Sequence, residues 1–497
     1  RSTQSRSSAA SDVYKRQDVL SRRGFLAAAT AVGVAQLGRA VRASAVPTGI
    51  VRGMVAGDGK PLPGVLVSDG CRVVRTDPAG RYELPAGPDS GRFVFVTTPR
   101  HWWTEKFYLP LAEALAKGRA DFSLRRLEQP DDFDLVFICD MHVDNRPWGI
   151  PKLRASLREI QQLRPRPAFL WAQGDICLEG GVGMEYCECL AEVRIPVRNG
   201  PGNHEMILKR ANPREEFERL FGPTYYSFDW GTVHCVVLDG NKPIPGLQGW
   251  KAVHGAIEGS ELAWLQADLE AQPEGKPIVV GVHIPIVSSY PRRRRKSPPN
   301  APYWEIANRE NLTELFAKHR VKLVLQGHMH ENERTTVKGV EYVSSIALSG
   351  SWYSSGAGME RGVDGSPRGY RIVSVRGNKV THRYRSSCES RVDRQGELVG
   401  TRRFRPGRET ALVFNCYDAP NGSTAQARLD NGPWQPMPQF AAVNPAQGDG
   451  LVMPHHFRLL ADTTGLAPGE HTIEVRVVWP DGTVVNERQS FELLAGP

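Results

Sequence analysis

Between residues 129 and 385 the chain alternates short apolar runs, rich in β-branched and aromatic residues, with stretches of helical character. "FDLVFICD" is followed by "LRASLREIQQL" and then "PAFLWAQGD". Later come "SELAWLQADLEAQ", "KPIVVGVHIP", "ENLTELFAKHR" and "VKLVLQGHMH". Strands that alternate with helices predict a layered α/β core. Polar residues gather where these predicted strands stop, and strand ends are where open α/β sheets bind ligands.

The segment "VLQGHMHENE", Val324 to Glu333, carries the sharpest pattern: an apolar run that stops on two histidines one residue apart. On a strand, residues i and i+2 face the same way, so His328 and His330 are expected side by side, about 6–7 Å apart at their bases. One isolated pair reads better as two hydrogen-bonded structural histidines. Four further strand ends change the weighing. "FICDMHVD" offers Asp140 and His142, "LWAQGDIC" offers Asp175, "VRNGPGNHEM" offers Asn203 and His204, and "VVGVHIPI" offers His283. Taken singly these are ordinary. Five in series, each at the end of a predicted strand, point to a metal centre with oxygen and imidazole donors.

The order D-x-H, G-D, G-N-H-E, H, G-H-x-H resembles the signature of the calcineurin-like metallophosphoesterases, and it spans about half of the chain. "SGSWYSSG" and "DGSPRGY" (Asp364 to Tyr370), with β-rich segments on both flanks, resemble an exported bacterial subgroup of that family. The resemblance implies an α/β (α+β) fold in which a β-sandwich is flanked by helices. It implies two divalent ions from the set Mn, Fe, Zn, Co and Ni. Asp140, His142 and His330 would hold one; Asn203, His283 and His328 would hold the other; Asp175 would stand between them. A carboxylate between two cations offsets their repulsion at a separation of about 3.5–4 Å. No thiolate stands in this set.

The implied reaction is hydrolysis of phosphate mono- or diesters, with His204 protonating the leaving group. The competing reading gives His204 only a supporting hydrogen bond. One position departs from many relatives: Leu178 stands three residues after Asp175, where a polar residue is common. That argues against a tyrosine-ligated purple iron centre. It leaves Glu179, another group or no carboxylate at all to orient His204.

The flanks read differently. Residues 46–128 carry short β runs between Gly/Asp turns, and "GKPLPGVLVSDG…TDPAGRYEL" resembles transthyretin-like or carboxypeptidase-regulatory-like modules. Residues 386–497 return to β patterns, with hairpin signals in "LDNGPW" and "VWPDGT" that predict an immunoglobulin-like sandwich. "CESRVDRQGELVGTRRFRPGRE" is expected to be the linker. Neither flank shows a catalytic constellation.

Net charge is +9, but residues 1–45 hold eight basic and two acidic residues, so the remainder carries only +3. That balance weighs against a nucleic-acid partner. The N-terminal stretch has Arg22, Arg23, Phe25 and Leu26, a short apolar run, and Ala43-Ser44-Ala45. It resembles a twin-arginine export signal, too short to span a membrane. Export to the periplasm or outside the cell is the expectation, with no stable membrane span after signal removal. Residues before Asp18 read as a non-native lead. The eight cysteines are dispersed, with no CxxC pair, and do not form a dense disulfide framework.

Between His283 and His328 lies "SSYPRRRRKSPPNAPYW". Arg292 and Arg293, at the head of the basic run to Lys296, are candidates for attracting an anionic substrate; a solvated charge run is the alternative. Tyr290, Trp304, Trp352 and Tyr353 are candidates for walling a pocket, or for ordinary packing. Three functions stay in view: an exported phosphoesterase acting on small phosphate esters, a nuclease on the same metals, and a surface-binding protein with a relic site. Oligomeric state is not legible.

Overall fold

The strand Phe133–Ile138 is buried at every position, yet its residues still divide by parity. Leu135 and Phe137 enter one apolar core, while Val136 and Ile138 enter a second. Its neighbour Leu170–Gln173 does the same, with Trp171 on one side and Leu170 and Ala172 on the other. That is the two-residue period of a strand whose two faces are both covered. The computed structural model describes residues 48–143, 149–177, 183–247, 252–293, 301–350, 361–387, 392, 394–439 and 455–495.

Two central sheets pack face to face. The first runs in the order Val197–Gly200, Leu170–Gln173, Phe133–Ile138, Gly369–Arg376, Lys379–Ser386. Its first three strands are parallel, and the last two form an antiparallel hairpin on its far side. The second runs Tyr226–Trp230, Val233–Val237, Ile278–Val282, Leu323–Gln326, Val340–Ser344, Glu333–Val337, with four parallel strands in the middle. Aromatic rings bridge the sheets: Phe169 and Trp171 lie 5.4 and 5.9 Å from Phe228. Helices Gly149–Gln162 and Met184–Ala191 cover the outer face of the first sheet through Leu153, Leu157, Ile160, Tyr186 and Cys189. Helices Gly259–Glu270 and Arg309–Lys318 pack Trp264, Leu265, Leu312 and Phe316 into the core around the second. The expected β-sandwich flanked by helices is what forms.

The N-terminal flank folds as two small sheets built from strands between Gly49 and Arg126. Their apolar residues run into the same core as the second central sheet, so this region has no separate interior. Polar contacts reinforce the joint. The guanidinium of Arg198 is buried 4.0 Å from the Trp103 ring, 4.9 Å from Phe107 and 5.0 Å from Phe228.

The C-terminal flank also forms two sheets over one core. The predicted hairpins sit at "LDNGPW", between Thr424–Leu429 and Gln435–Met437, and at "VWPDGT", between Gly469–Val478 and Val484–Leu493. The predicted linker is corrected in part: Gly396–Leu398 is a buried strand paired with Thr410–Cys416, and Arg403–Phe404 pairs with Val484–Leu493. The export-like stretch, Leu178, Glu179, Arg294 to Lys296, Trp352, Tyr353 and Cys388 lie outside the described residues. Among the described residues no helix is long and apolar enough to cross a membrane, and no disulfide forms among the cysteines described.

A buried polar chain crosses from the N-terminal sheets to the helix Gly259–Glu270. Thr97 meets Ser227 at 2.9 Å, Ser227 donates to Asp268 at 2.8 Å, and His234 bridges Asp268 and Asp229 at 2.7 and 2.8 Å. Burial works against a charged His234, but Asp268 and Asp229 raise it to about 9. A histidine raised above its unfolded value of about 6.5 stabilises the fold fully below that pH and loses the contribution as pH climbs through the folded value. Urea unfolding is therefore expected to show stability declining between about pH 6.5 and 9, with a shallower decline in His234→Gln. Parallel pH profiles for the two proteins would show that this network is not coupled to folding.

Candidate metal centre

The strands stop at Ile138, Gln173, Gly200, Val282 and Gln326, and the predicted donors follow each within four positions. The backbone there leaves the extended region. Asp140, His142, Asp175, His328 and His330 all take positive φ, between 43° and 70°. Such conformations cost a non-glycine residue about 1–3 kcal/mol each, and they persist where surrounding structure enforces them. The pleated face predicted for His328 and His330 is therefore absent. Both residues lie beyond the ladder and diverge: His328 turns to His283, rings 5.2 Å apart, and His330 to His142, rings 4.7 Å apart.

Two groups of three potential donors, Asp140–His142–His330 and Asp175–His283–His328, are linked by a third, His142–Asp175–His204. In one, His330 Nε2 lies 3.3 Å from Asp140 Oδ1 and 2.9 Å from His142 Nε2. Two imidazole nitrogens that close fit a shared cation as well as a shared proton. In the other, His283 Nε2 lies 3.0 Å from Asp175 Oδ2, and His328 completes a group of three potential donors. Asp175 Oδ2 is also 3.7 Å from His142 Nε2 and 3.8 Å from His204 Nε2, so one oxygen faces both groups. Close packing makes this possible. A Cβ on Gly202 would fall 2.3 Å from Asp175 Oδ1, so only glycine lets the "GPGNHE" loop run against that carboxylate.

The donor chemistry fits a divalent ion. Asn203 Oδ1 is buried and accepts no hydrogen bond among the described residues, an arrangement that costs about 1–3 kcal/mol unless another partner is supplied. Carbonyl groups fix two of the rings. His328 Nε2 lies 3.0 Å from the Tyr303 oxygen, which can only accept, so Nδ1 is the nitrogen left for a ligand. His283 turns Nδ1 to the Gln173 carbonyl at 3.3 Å and Nε2 to the aspartates.

Charges are arranged the same way. Burial alone would raise Asp140, but His283 and His330 hold its carboxyl well below the usual range. Asp175 is likewise lowered, against burial, by His283 and His204. Burial pushes His142 and His328 down to about 3, which keeps them neutral and able to bind a cation. His283 goes the other way: despite burial, Asp175 and Asp140 raise it to about 9.

Glu205 was not singled out from sequence, although it ends the "GNHE" motif. It is fully buried and accepts backbone N–H groups from Asp175 at 2.9 Å, Ile176 at 2.7 Å and Gly202 at 2.6 Å. It thus ties the Asp175 turn to the Asn203 loop. Its only sequence signal is an acidic residue beside a histidine in a glycine-rich loop.

His204 sits half-buried at the rim, its N–H donating to Asp175 Oδ1 at 3.0 Å. The predicted substrate contacts divide. Arg292 is exposed. Arg293 turns inward to a buried ion pair with Glu331, with Glu333 at 3.8 Å, in place of a solvent-facing charge. Tyr290 is buried beside Met329 and Val363, which assigns it to packing. Trp304 is half-buried, 6.0 Å from the His328 ring, and Tyr303, not predicted, lies closer at 4.9 Å.

Residues 133–332 match the family described as calcineurin-like phosphoesterase, residues 49–127 its N-terminal family and residues 341–484 its C-terminal family. A serine/threonine-protein phosphatase (CPPED1) of Danio rerio is 26% identical over 263 residues, covering 50% of this chain and 78% of that protein. Its Homo sapiens counterpart is 27% identical over 270 residues, with the same coverage. A 3',5'-cyclic-nucleotide phosphodiesterase of Nostoc is 24% identical over 206 residues, 38% of this chain and 66% of that protein. Among solved structures, a purple acid phosphatase from yellow lupin aligns at TM-score 0.39 with 12% identity over 66% of this chain and 68% of that one. A score that low carries no inference. The three family matches cover nearly all of residues 49–484, and the chain belongs to the calcineurin-like phosphoesterases as a metal-dependent phosphoric ester hydrolase.

Proposed function

We propose that this protein hydrolyses small phosphate mono- or diesters at a centre of two divalent ions, with His204 as general acid. Asp140, His142 and His330 would hold one ion, and Asn203, His283 and His328 the other, with Asp175 between. The observation that carries this reading is the Asp175 carboxylate, whose Oδ2 lies 3.0 Å from His283 and 3.7 Å from His142, one imidazole from each group. Bound there, two ions would supply Lewis acidity toward the phosphoryl oxygens and an activated water.

The chain's own residues do the rest. Asp140 and Asp175 set the negative charge of the site, and the neutral His142 and His328 add donors without adding charge. Burial of these groups limits bulk water. His204 alone of the constellation reaches the rim, where its ring can pass a proton to a departing oxygen. The relatives include proteins named as phosphatases and one named as a cyclic-nucleotide phosphodiesterase, so both ester classes are candidates.

Secretion belongs to the same reading. The Arg22-Arg23 pattern supports export to the periplasm or beyond, where small organic phosphates are the substrates. The small net charge of residues 46–497 disfavours nucleic acid. The flanking β regions are read as transthyretin-like or carboxypeptidase-regulatory-like, and as immunoglobulin-like.

The test compares p-nitrophenyl phosphate with bis(p-nitrophenyl) phosphate after reconstitution with Mn²⁺. Wild type is expected to cleave at least one, and Asp175→Asn neither; an active Asp175→Asn would remove that residue from the centre. His204→Ala is expected to slow poor leaving groups by about 10²–10⁴-fold and p-nitrophenolate esters far less. An equal loss on both would assign His204 a different role. Because an ion must displace the proton on His283, Mn²⁺ affinity measured by calorimetry is expected to tighten as pH rises toward 9. Affinity independent of pH would exclude His283 as a ligand.

A further inference from the structure

The loop that carries His330 is gripped by residues 362–364, just before the strand Gly369–Arg376, and by Arg371 on that strand. After His330 the chain continues through Glu331 to Asn332, which is almost fully buried. The Asn332 N–H donates to Asp364 Oδ2 at 3.0 Å, and its side-chain oxygen accepts from Arg371 at 3.2 Å. The His330 carbonyl accepts from the Val363 N–H at 2.8 Å. Gly362 lies so close that a Cβ there would fall 2.5 Å from that same carbonyl and 2.1 Å from Ile346.

The groups that grip this loop are themselves held by the C-terminal flank. Asp364 Oδ2 meets His455 Nε2 at 2.9 Å, and His455 Nδ1 meets Asn415 Oδ1 at 2.8 Å. Asn415 closes the ring by donating to the Asp364 carbonyl at 3.1 Å. Arg371 forms a two-pronged pair with Asp418 at 2.9 and 3.0 Å. Asp364, Arg371, Asn415, Asp418 and His455 are all essentially without solvent exposure. Two independent arms, His455–Asp364 and Asp418–Arg371, converge on the single residue Asn332.

We infer that His455, with Asn415 and Asp364, is a positioning residue for the metal centre, through which the C-terminal β region holds His330 in its left-handed turn. A left-handed histidine relaxes once its supports are removed, and the ion beside Asp140 and His142 then loses a pre-set donor. The inference rests on the reading of His330 as a metal ligand. Groups bonded directly to ligands typically change metal affinity by about 10–100-fold, and an arm that reaches the ligand's loop only through Asp364 is expected to give less, about 3–10-fold.

The experiment measures bound Mn²⁺ per chain, by equilibrium dialysis and elemental analysis, in the full-length protein after chelation. Wild type, His455→Ala, His455→Gln, Asn415→Ala and His330→Ala are compared, with circular dichroism as the check on folding. In His455→Ala one ion is expected to bind as in wild type and the second about 3–10-fold more weakly, with partial recovery in His455→Gln. Wild-type isotherms for folded His455→Ala, while His330→Ala loses an ion, would overturn the inference and leave the metal site standing. Two ions retained by His330→Ala would instead sink the ligand reading on which it rests. Should His455→Ala not fold, Asn415→Ala decides: a weakened second ion supports the inference and an unchanged isotherm rejects it.

Discussion

Two carboxylates, Asp140 and Asp175, lie buried where the strands of both central sheets run out. Removing an ionised carboxylate from water costs several kcal/mol unless partners replace the lost hydration. The surrounding structure supplies those partners. His328 donates its N–H to Asp140 at 3.0 Å, His204 donates to Asp175 at 3.0 Å, and imidazoles crowd the remaining oxygens. The left-handed turns and Glu205 can be understood as the means of delivering donors to these two side chains.

The flanking regions take part in that assembly. The N-terminal sheets share their interior with the second central sheet, and Arg198 holds Trp103 and Phe107 beside Phe228. Arg198 lies on the strand Val197–Gly200, which leads directly into the Asn203 loop. The C-terminal sheets reach the opposite side of the site through Asp364 and Arg371. Both ends of the chain thus bear on loops that carry donors, one near Asn203 and the other near His330.

Much of the site was legible because its donors follow strand ends and lie in short motifs with glycine beside them. Asp140, His142, Asp175, Asn203, His283, His328 and His330 were singled out this way; the structure groups the aspartates and histidines among them and buries Asn203 Oδ1. The reason given for the histidine pairs did not hold. The strands stop before the pairs begin, and left-handed backbone, not the pleat, aims the rings. Tyr290 falls to the packing alternative, and Arg293 was misplaced because a basic run looks the same from sequence whether it faces solvent or a buried glutamate. Glu331 and Glu333, the partners of Arg293, are 38 and 40 residues away. Glu205 and His455 went unnoticed since their roles are hydrogen bonds to backbone and to residues distant in sequence.

The sequence by itself determined the layered α/β class, the donor residue types and the family, because hydrophobic periodicity and short motifs are local properties. Only the tertiary structure decided how the backbone aims each donor and what holds each loop. Those are outcomes of burial: a charged or polar atom removed from water must find its partner in space. His455, 125 positions beyond His330 in the chain, reaches the loop of that residue through Asp364 for this reason.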